Sequence, residues 1–490
     1  SAASDVYKRQ VQKGEPIIEK KVLDVLLVAR DEGLYSAITD CGAGGFSSSI
    51  GEMASSLGCE VELKNVKTQY DGLQPYELWI SETQERMVIA VPPCNMERLL
   101  HLCKAYDVEA ADLGYFTGRG RIEVKYSGES VIDLSCDFLE NALPTKNLLA
   151  VYQKRSMAKK QYEEPTVQDA LKAIVDKDGL QGKEDIVRLY DYEVQGGTIL
   201  APFMGESGHV PQDAAVIKPI GTASSFAIAL SNSLHERHAM IDPYKATALT
   251  IDEAVRKLVC VGCDPSRIAL LDNFCLGSSN DTSVIFDLLE MARSCYETAK
   301  LFATPFISGK DSFNNEYKNA NGSSRAIPPS LLISAIGRVE DDSLVVSSVL
   351  KKEGSALYLI GHPHFSFEGS LFESLFGSPY NDGVPFVPSD TPLVYSAFYE
   401  CIKKHLISSS HCVGKGGLLK TLHDMSLDGN LTYKLVDNIE REFSVTSNLQ
   451  VYFAECAGCM IVEIEKGNIE EFECSMVKDY RRFIGHVVKA

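Results

Sequence analysis

No stretch of about 18 consecutive apolar residues occurs in the 490 positions of the chain, so no membrane-spanning helix is expected. Positive charge is scarce: 48 Lys and Arg stand against 67 Asp and Glu, a formal net charge of −19. Duplex nucleic acid and anionic membranes both favour a basic face, and this balance argues against either as a partner. Small anions stay open to the chain, because a local nest of backbone N–H groups binds phosphate under a negative global charge. There is no P-loop of the form GxxxxGK[ST], so any use of ATP has to come through another fold. The ten histidines show neither HxxxH nor HExxH spacing. His235 and His238, in the polar stretch SNSLHERH, are expected at the surface or behind a site, and so is His423 beside Asp424.

A dense cysteine framework is also missing. The fourteen cysteines are scattered, which in a large chain without a recognisable secretory signal points to reduced thiols in the cytoplasm. Two CxxC pairs, Cys260/Cys263 and Cys456/Cys459, have zinc-ligand spacing. Yet Cys260 lies in the helical pattern AVRKLVCVGC and Cys456 opens the strand-like CAGCMIVEIE, so buried free thiols are the expectation. The first ten residues, SAASDVYKRQ, follow no period, and residues 1–11 are read as a non-native leader.

What is present is a mixed α/β pattern long enough for about three domains at roughly 150 residues each. Apolar residues at helical spacing over 19–32 end at Gly33, and further helix patterns cover 47–57 and 96–106. Residues 37–39, 78–80, 86–91 and 121–126 read as strands. A charged, weakly periodic segment, 151–182, reads as a linker able to carry a helix. A second unit, 183–350, has strand patterns at 214–218, 225–230, 268–271 and 331–336 and helix patterns at 250–261 and 284–302. A third unit, 351–490, opens on the apolar run 356–360. Ile38-Thr39-Asp40 with its following glycines finds a weak echo in Leu422-His423-Asp424.

Three glycines, Gly42, Gly44 and Gly45, follow Asp40 and precede a helix pattern. Such a turn suits positive φ or close approach of backbone to an anion at a helix N-terminus; it equally suits a plain tight entry to a helix. Between two apolar runs lies Ser81-Glu82-Thr83-Gln84-Glu85-Arg86, either a solvated loop or a constellation at a strand end facing a polar substrate. Asp272 and Asn273 are expected at the end of one buried strand, and Lys310, Asp311, Asn315 and Glu316 after another. Hard oxygen donors with one lysine suit a Mg²⁺-nucleotide better than zinc or iron.

The stretches DCGAGGFSSSIGEMA, PYELWISETQERM, DPYKATALTIDEAVRKLVCVGC, LLDNFCLG, TPFISGKDS and RAIPP, with Gln12-Lys-Gly-Glu-Pro16 before them, together resemble phosphoribosylformylglycinamidine synthases, of the aminoimidazole-ribonucleotide-synthetase-like superfamily. The resemblance implies an α/β (α+β) fold of tandem N- and C-terminal synthetase domains. It places a first C-terminal-type domain at 12–150, a second N-terminal-type domain at 183–350 and a second C-terminal-type domain at 351–490. The first N-terminal domain, which brings the family's catalytic histidine, is not represented, and this stretch alone is expected to be inactive. Carried over by position, Asp40 matches a Mg²⁺ ligand, and Gln12, Glu82, Thr83 and Gln84 match substrate-binding positions. Asp272 and Gly309 match ATP contacts and Ser312 a substrate contact. Lys310 stands where a metal-ligating asparagine is found in the short form of the family, so Asp311 is the substitute candidate, with Asp213 a weaker one. The implied reaction amidates formylglycinamide ribonucleotide using ATP, Mg²⁺ and ammonia. No glutaminase Cys-His-Glu motif appears, so the ammonia is expected from a glutaminase subunit or domain. The alternatives are another ATP-dependent synthetase of the superfamily, of the aminoimidazole ribonucleotide or selenophosphate type, or a nucleotide-binding structural subunit without turnover.

Overall fold

Proline at the first helical position and glycine just past the last bracket the opening helix, Pro16–Asp31: Pro16 needs no N–H there, and Gly33 takes φ +67°. The computed structural model describes residues 15–68, 72–153, 160–178, 180–189, 192–193, 195–222, 224–320 and 322–490. Gln12 and residues 1–11, read above as a leader, lie outside them. The chain divides into two compact units, 1–147 and 148–490.

In the first unit the strand Ala37–Asp40 pairs antiparallel with Met87–Ala90, Asp40 opposite Met87. A four-stranded sheet runs in the order Gly114–Phe116, Cys59–Glu62, Arg121–Tyr126, Glu129–Ser135. Phe46, Ile50, Leu78 and Trp79 close a core with Val61, Ile122 and Val124 of that sheet. Residues 78–80, expected as strand, belong instead to the helix Pro75–Ile80. Pro75 sits at its first position and the Glu77 carboxylate accepts from the Gln74 N–H at 2.8 Å, so end chemistry overrides the β-propensity of Leu-Trp-Ile.

The second unit holds a six-stranded sheet in the order Phe306–Ser312, Ile268–Cys275, Ser330–Val339, Ala227–Ser233, Ala215–Ile217, Thr198–Leu200. A five-stranded antiparallel sheet follows: Ser409–Cys412, Met460–Ile464, Ala356–Ile360, Arg481–Lys489, Leu431–Leu435. Between them runs the helix Pro243–Cys260, fourteen of whose eighteen residues are buried, among them the charged Asp252, Glu253 and Arg256, which must therefore find partners inside. Strand alternation divides the buried run 356–360 between two cores. Ala356, Tyr358 and Ile360 join the core built on Val216, Leu258 and Ile333, whereas Leu357 and Leu359 join Leu418, Leu422 and Phe453. The stretches read from sequence as separate second and third units therefore share a core.

Arg256, 2% exposed, ties that helix to the second sheet. Its Nη1 donates to Val413 O at 3.0 Å and Cys459 O at 2.7 Å, and its Nη2 stands 3.3 Å from Asp252 Oδ2. The 151–182 segment is not a spacer over its described part. Val167, Ala170, Leu171 and Ile174, on the helix Val167–Asp178, face the core of Leu418 and Phe453, with Ala170 and Ile174 fully buried. That i, i+3, i+4, i+7 spacing was masked in the sequence by the charged residues before it.

Candidate functional site

The chain leaves its two-stranded ribbon at Asp40: the Cys41 N–H still donates to Arg86 O at 3.0 Å, and then the glycine turn begins. Asp40 is exposed and its carboxylate folds over Gly42, where a Cβ would come within 2.8 Å of Oδ2. Gly44 and Gly45 take φ +81° and +58°, and Gly45 caps the helix Phe46–Met53. A Cβ on Gly45 would lie 2.7 Å from Ile80 C and 2.8 Å from Ser81 N. The loop 81–86 is thus pressed against the turn, as its position between Pro75–Ile80 and the partner strand requires.

Glu82 Oε1 accepts from the Gly44 N–H at 3.2 Å. The Ser81 and Thr83 hydroxyls share a hydrogen bond at 3.1 Å. Arg86 lies 4.0 Å over the Phe46 ring and donates to Ser81 O; burial lowers its pKa, and its Nε has no partner. Gln84 is exposed. Asp40, Glu82, Thr83 and Gln84 therefore sit around one strand end, with Arg86 bracing the loop from behind.

In the second unit the strand beginning at Ile268 runs on to Cys275, so Asp272 and Asn273 lie within it. Lys310 and Asp311 likewise lie within Phe306–Ser312. The strands pair in parallel, Asp272 beside Gly309 and Phe274 beside Asp311, which puts Asp272, Gly309 and Asp311 on one face. Asn273, Lys310 and Ser312 take the other, and Lys310 Nζ donates to Ser312 Oγ at 2.9 Å. A Cβ at Gly309 would overlap the Asp272 carboxylate. Burial first, and the Asp311 charge after it, raise the Asp272 pKa against a Lys310 backbone hydrogen bond. Asn315 and Glu316, counted among the nucleotide donors from sequence, hold the loop instead. Asn315 Nδ2 donates to Leu276 O and Ser312 O, and Glu316 accepts from the Ser278 N–H and the Ser324 hydroxyl. Both Asp213 oxygens are occupied, Oδ1 by His411 Nδ1 and Oδ2 by the Cys412 N–H, each at 2.9 Å.

The echo at Leu422-His423-Asp424 does not hold, because these residues end the helix Gly417–Met425. The structural counterpart of the first turn lies just upstream. There the strand Ser409–Cys412 leads through Val413-Gly414-Lys415-Gly416 to that helix, and Cys412 pairs with Met460 as Asp40 pairs with Met87. Glu455 Oε1 accepts from the Gly416 N–H at 3.1 Å, as Glu82 does from Gly44. A Cβ on Gly417 would strike the 453–454 backbone, as one on Gly45 strikes 80–81. Aligning GAGGF with GKGGL, rather than Asp40 with Asp424, would have found the repeat.

Sequence reading also missed what surrounds Glu455. His235 and His238 are 7% and 3% exposed, not surface residues. His235 Nε2 and Glu253 Oε2 are 2.6 Å apart. The four CxxC cysteines are unpaired and buried, as expected.

Residues 1–127 match the family "AIR synthase related protein, C-terminal domain", and residues 211–339 match "AIR synthase related protein, N-terminal domain". The chain thus carries one domain of each AIR synthase related type. Within that class its relatives are phosphoribosylformylglycinamidine synthases. It is 28% identical over 466 residues to "Phosphoribosylformylglycinamidine synthase subunit PurL" of Thermoplasma acidophilum, covering 94% of this chain and 60% of the relative. To the protein of that name from Methanocaldococcus jannaschii it is 30% identical over 472 residues, covering 95% and 62%. The chain thus spans about 60% of the length of the curated relatives it matches. The solved structure "T. maritima PurL complexed with ATP" superposes with a TM-score of 0.66 at 19% identity, over 97% of this chain and 67% of that one. "T. maritima PurL complexed with FGAR" gives 0.65 at 20%, over 97% and 65%. At those identities the likeness establishes the fold, mixed α/β with AIR-synthase-type domains.

Proposed function

We propose that the protein containing this chain amidates formylglycinamide ribonucleotide to its amidine in purine biosynthesis, with ATP as phosphoryl donor. The γ-phosphoryl group passes to the glycinamide carbonyl oxygen, ammonia adds at that carbon, and phosphate leaves with that oxygen, the formyl group staying intact. The observation that carries this reading is the gathering of Asp40, the glycine turn and Glu82-Thr83-Gln84 at one strand end, in a chain whose relatives bear the PurL name. One relative's structure, "Structure of PurLQS from Thermotoga maritima", supports a glutaminase partner as the ammonia source. Unpaired buried thiols support a reducing compartment, the cytoplasm.

Asp40 fits a Mg²⁺ ligand: it is exposed, a hard oxygen donor, and no protein partner for its carboxylate is found among the described residues. Asp311, exposed beside Asp272, is the corresponding candidate in the second unit, whereas Asp213 has no free oxygen to offer. Mg²⁺ bound there would neutralise charge on the transferring phosphoryl group. Thr83 and Gln84 would hydrogen-bond the polar ribonucleotide, and Gly309 would let a nucleotide approach the strand beside Asp272.

Expression of the full-length gene in a purine auxotroph is expected to restore growth, and Asp40→Asn to abolish it with protein levels unchanged. Absence of growth from a verified, soluble wild-type protein would sink the proposal.

A further inference from the structure

The second glycine turn has kept its glutamate but changed its surroundings. One ring nitrogen from each of His235 and His238 and one oxygen of Glu455 lie within 4.8 Å of one another, all buried. They line a small cavity of about 10 Å³ together with Glu253, Val413 and Gly414. Each residue has a donor atom to spare. Glu455 Oε1 accepts from the Leu371 and Gly416 N–H groups at 2.9 and 3.1 Å, while Oε2 stands 3.8 Å from His238 Nε2, too far for a hydrogen bond. His238 Nε2 is buried without a partner, and so is His235 Nδ1.

Leaving such groups unpaired costs about 1–3 kcal/mol each, so two unpaired imidazole nitrogens beside a spare carboxylate oxygen call for an occupant. The cavity, near the lower limit for a single water, excludes an organic ligand. We propose that His235, His238 and Glu455 bind one divalent transition-metal ion of the zinc class, in a site that the first glycine turn does not share.

Two imidazoles and one carboxylate are a donor set for zinc or ferrous iron rather than for Mg²⁺, which prefers oxygen throughout. Zinc bonds of about 2.0–2.1 Å in a tetrahedral site imply ligand-to-ligand edges of roughly 3.3 Å. The cluster closes to that size by shifts of an ångström or so shared among three side chains. Around it stands the support that metal-bound histidines use: Glu253 Oε2 at 2.6 Å from His235 Nε2 fixes the ring and makes it more basic. Glu253 is held in turn by Lys257 at 2.6 Å. His238 packs against Gly369, where a Cβ would meet the ring at Cδ2, 2.6 Å away. The cluster lies within residues 235–455, all in the second unit.

The test uses the 490-residue chain, stripped with a chelator and dialysed against Zn²⁺, Co²⁺, Fe²⁺ or Mg²⁺ in separate arms. Elemental analysis is expected to find one tightly held transition-metal ion per chain and no retained Mg²⁺. The cobalt form should show d–d bands without a thiolate charge-transfer band, which separates this site from the cysteines. His238→Gln and Glu455→Gln, near-isosteric and checked for folding by circular dichroism, should each lose the ion. Glu253→Gln should weaken binding by about 10–100-fold. A wild-type chain that retains no stoichiometric transition metal overturns the proposal. So does retention by both ligand variants, a thiolate spectrum, or equal binding of Mg²⁺.

Discussion

Gly45 is where backbone conformation and packing coincide, and alanine there tests both. Positive φ costs an L-residue about 1–2 kcal/mol. The added methyl would also sit 2.7–2.8 Å from Ile80 C and Ser81 N, backbone atoms that move only by shifting the helix Pro75–Ile80, and such overpacking costs about 1–3 kcal/mol more. Gly51, one turn further into Phe46–Met53, has nothing within 4 Å of an added Cβ and no positive φ, so alanine there stabilises by about 0.5–1 kcal/mol. The single tryptophan, Trp79, is buried beside the point of collision and reports on the first unit alone. Urea unfolding followed by its fluorescence is therefore expected to show Gly45→Ala losing roughly 2–5 kcal/mol, a midpoint lower by about 1–2 M for ordinary m-values. Gly51→Ala should move the midpoint slightly upward. An unchanged midpoint for Gly45→Ala, or a clear fall for Gly51→Ala, would refute the argument that packing against 80–81 dictates the glycine.

Burial by itself would lower the His411 pKa, but Asp213 at Nδ1 and Asp424 beyond Nε2 outweigh it and raise it to about 9. The stabilisation is therefore complete below about pH 6.5 and lost as pH climbs towards 9, on the order of 3 kcal/mol in all; unfolding free energy measured across that range should slope downward in the wild type, and His411→Gln should flatten it. Arg256→Met removes the cation facing fully buried Asp252 and frees two carbonyls, for an expected loss of about 3–5 kcal/mol; a smaller loss in denaturant titration than that of an exposed control such as Arg293→Met would contradict the clamp. Cys94 and Cys474 are the exposed thiols, so a thiol reagent should titrate two cysteines fast in the native chain and all fourteen in denaturant; more than Cys275 in addition, or fewer than fourteen in the end, would count against buried free thiols.

Long periodic elements were legible in the sequence. The helices Pro16–Asp31, Met96–Ala105 and Thr282–Phe302 and the strand Arg121–Tyr126 follow the 3.6 and 2.0 periods closely. Failures came where a local rule competed with propensity. Pro75 and Glu77 turn an apolar strand pattern into a helix, and pairing with a neighbouring strand on each side carries Ile268–Cys275 on through Asp272 and Asn273 against their low β-propensity. Of the candidate site, the glycine turn and loop 81–86 could be named because both are local signals, but their contact depends on strand register. The histidine cluster could not be found this way: His235 and His238 are separated from Glu455 by over two hundred positions, and only the packing of helix Pro243–Cys260 against the second sheet unites them.

The internal repeat separates what the fold needs from what the chemistry needs. Both copies keep the glycine pair, the glutamate that accepts its N–H, and the methionine five places on in the facing strand. The residues between differ: Thr83, Gln84, Glu85 and Arg86 become Cys456, Ala457, Gly458 and Cys459, and Asp40 becomes Cys412. Glu82 therefore has a structural duty through Oε1, whatever its Oε2 does, whereas Asp40, Thr83 and Gln84 are particular to the first copy. Glu82→Ala should lower both the unfolding free energy of the first unit in urea, by about 1–2 kcal/mol for a lost charged hydrogen bond, and turnover in the amidation proposed for the protein containing this chain. Thr83→Ala and Gln84→Ala should leave the midpoint in place and reduce turnover alone. If all three substitutions destabilise alike, the loop is a structural brace, and its polar residues contribute nothing to recognising the substrate.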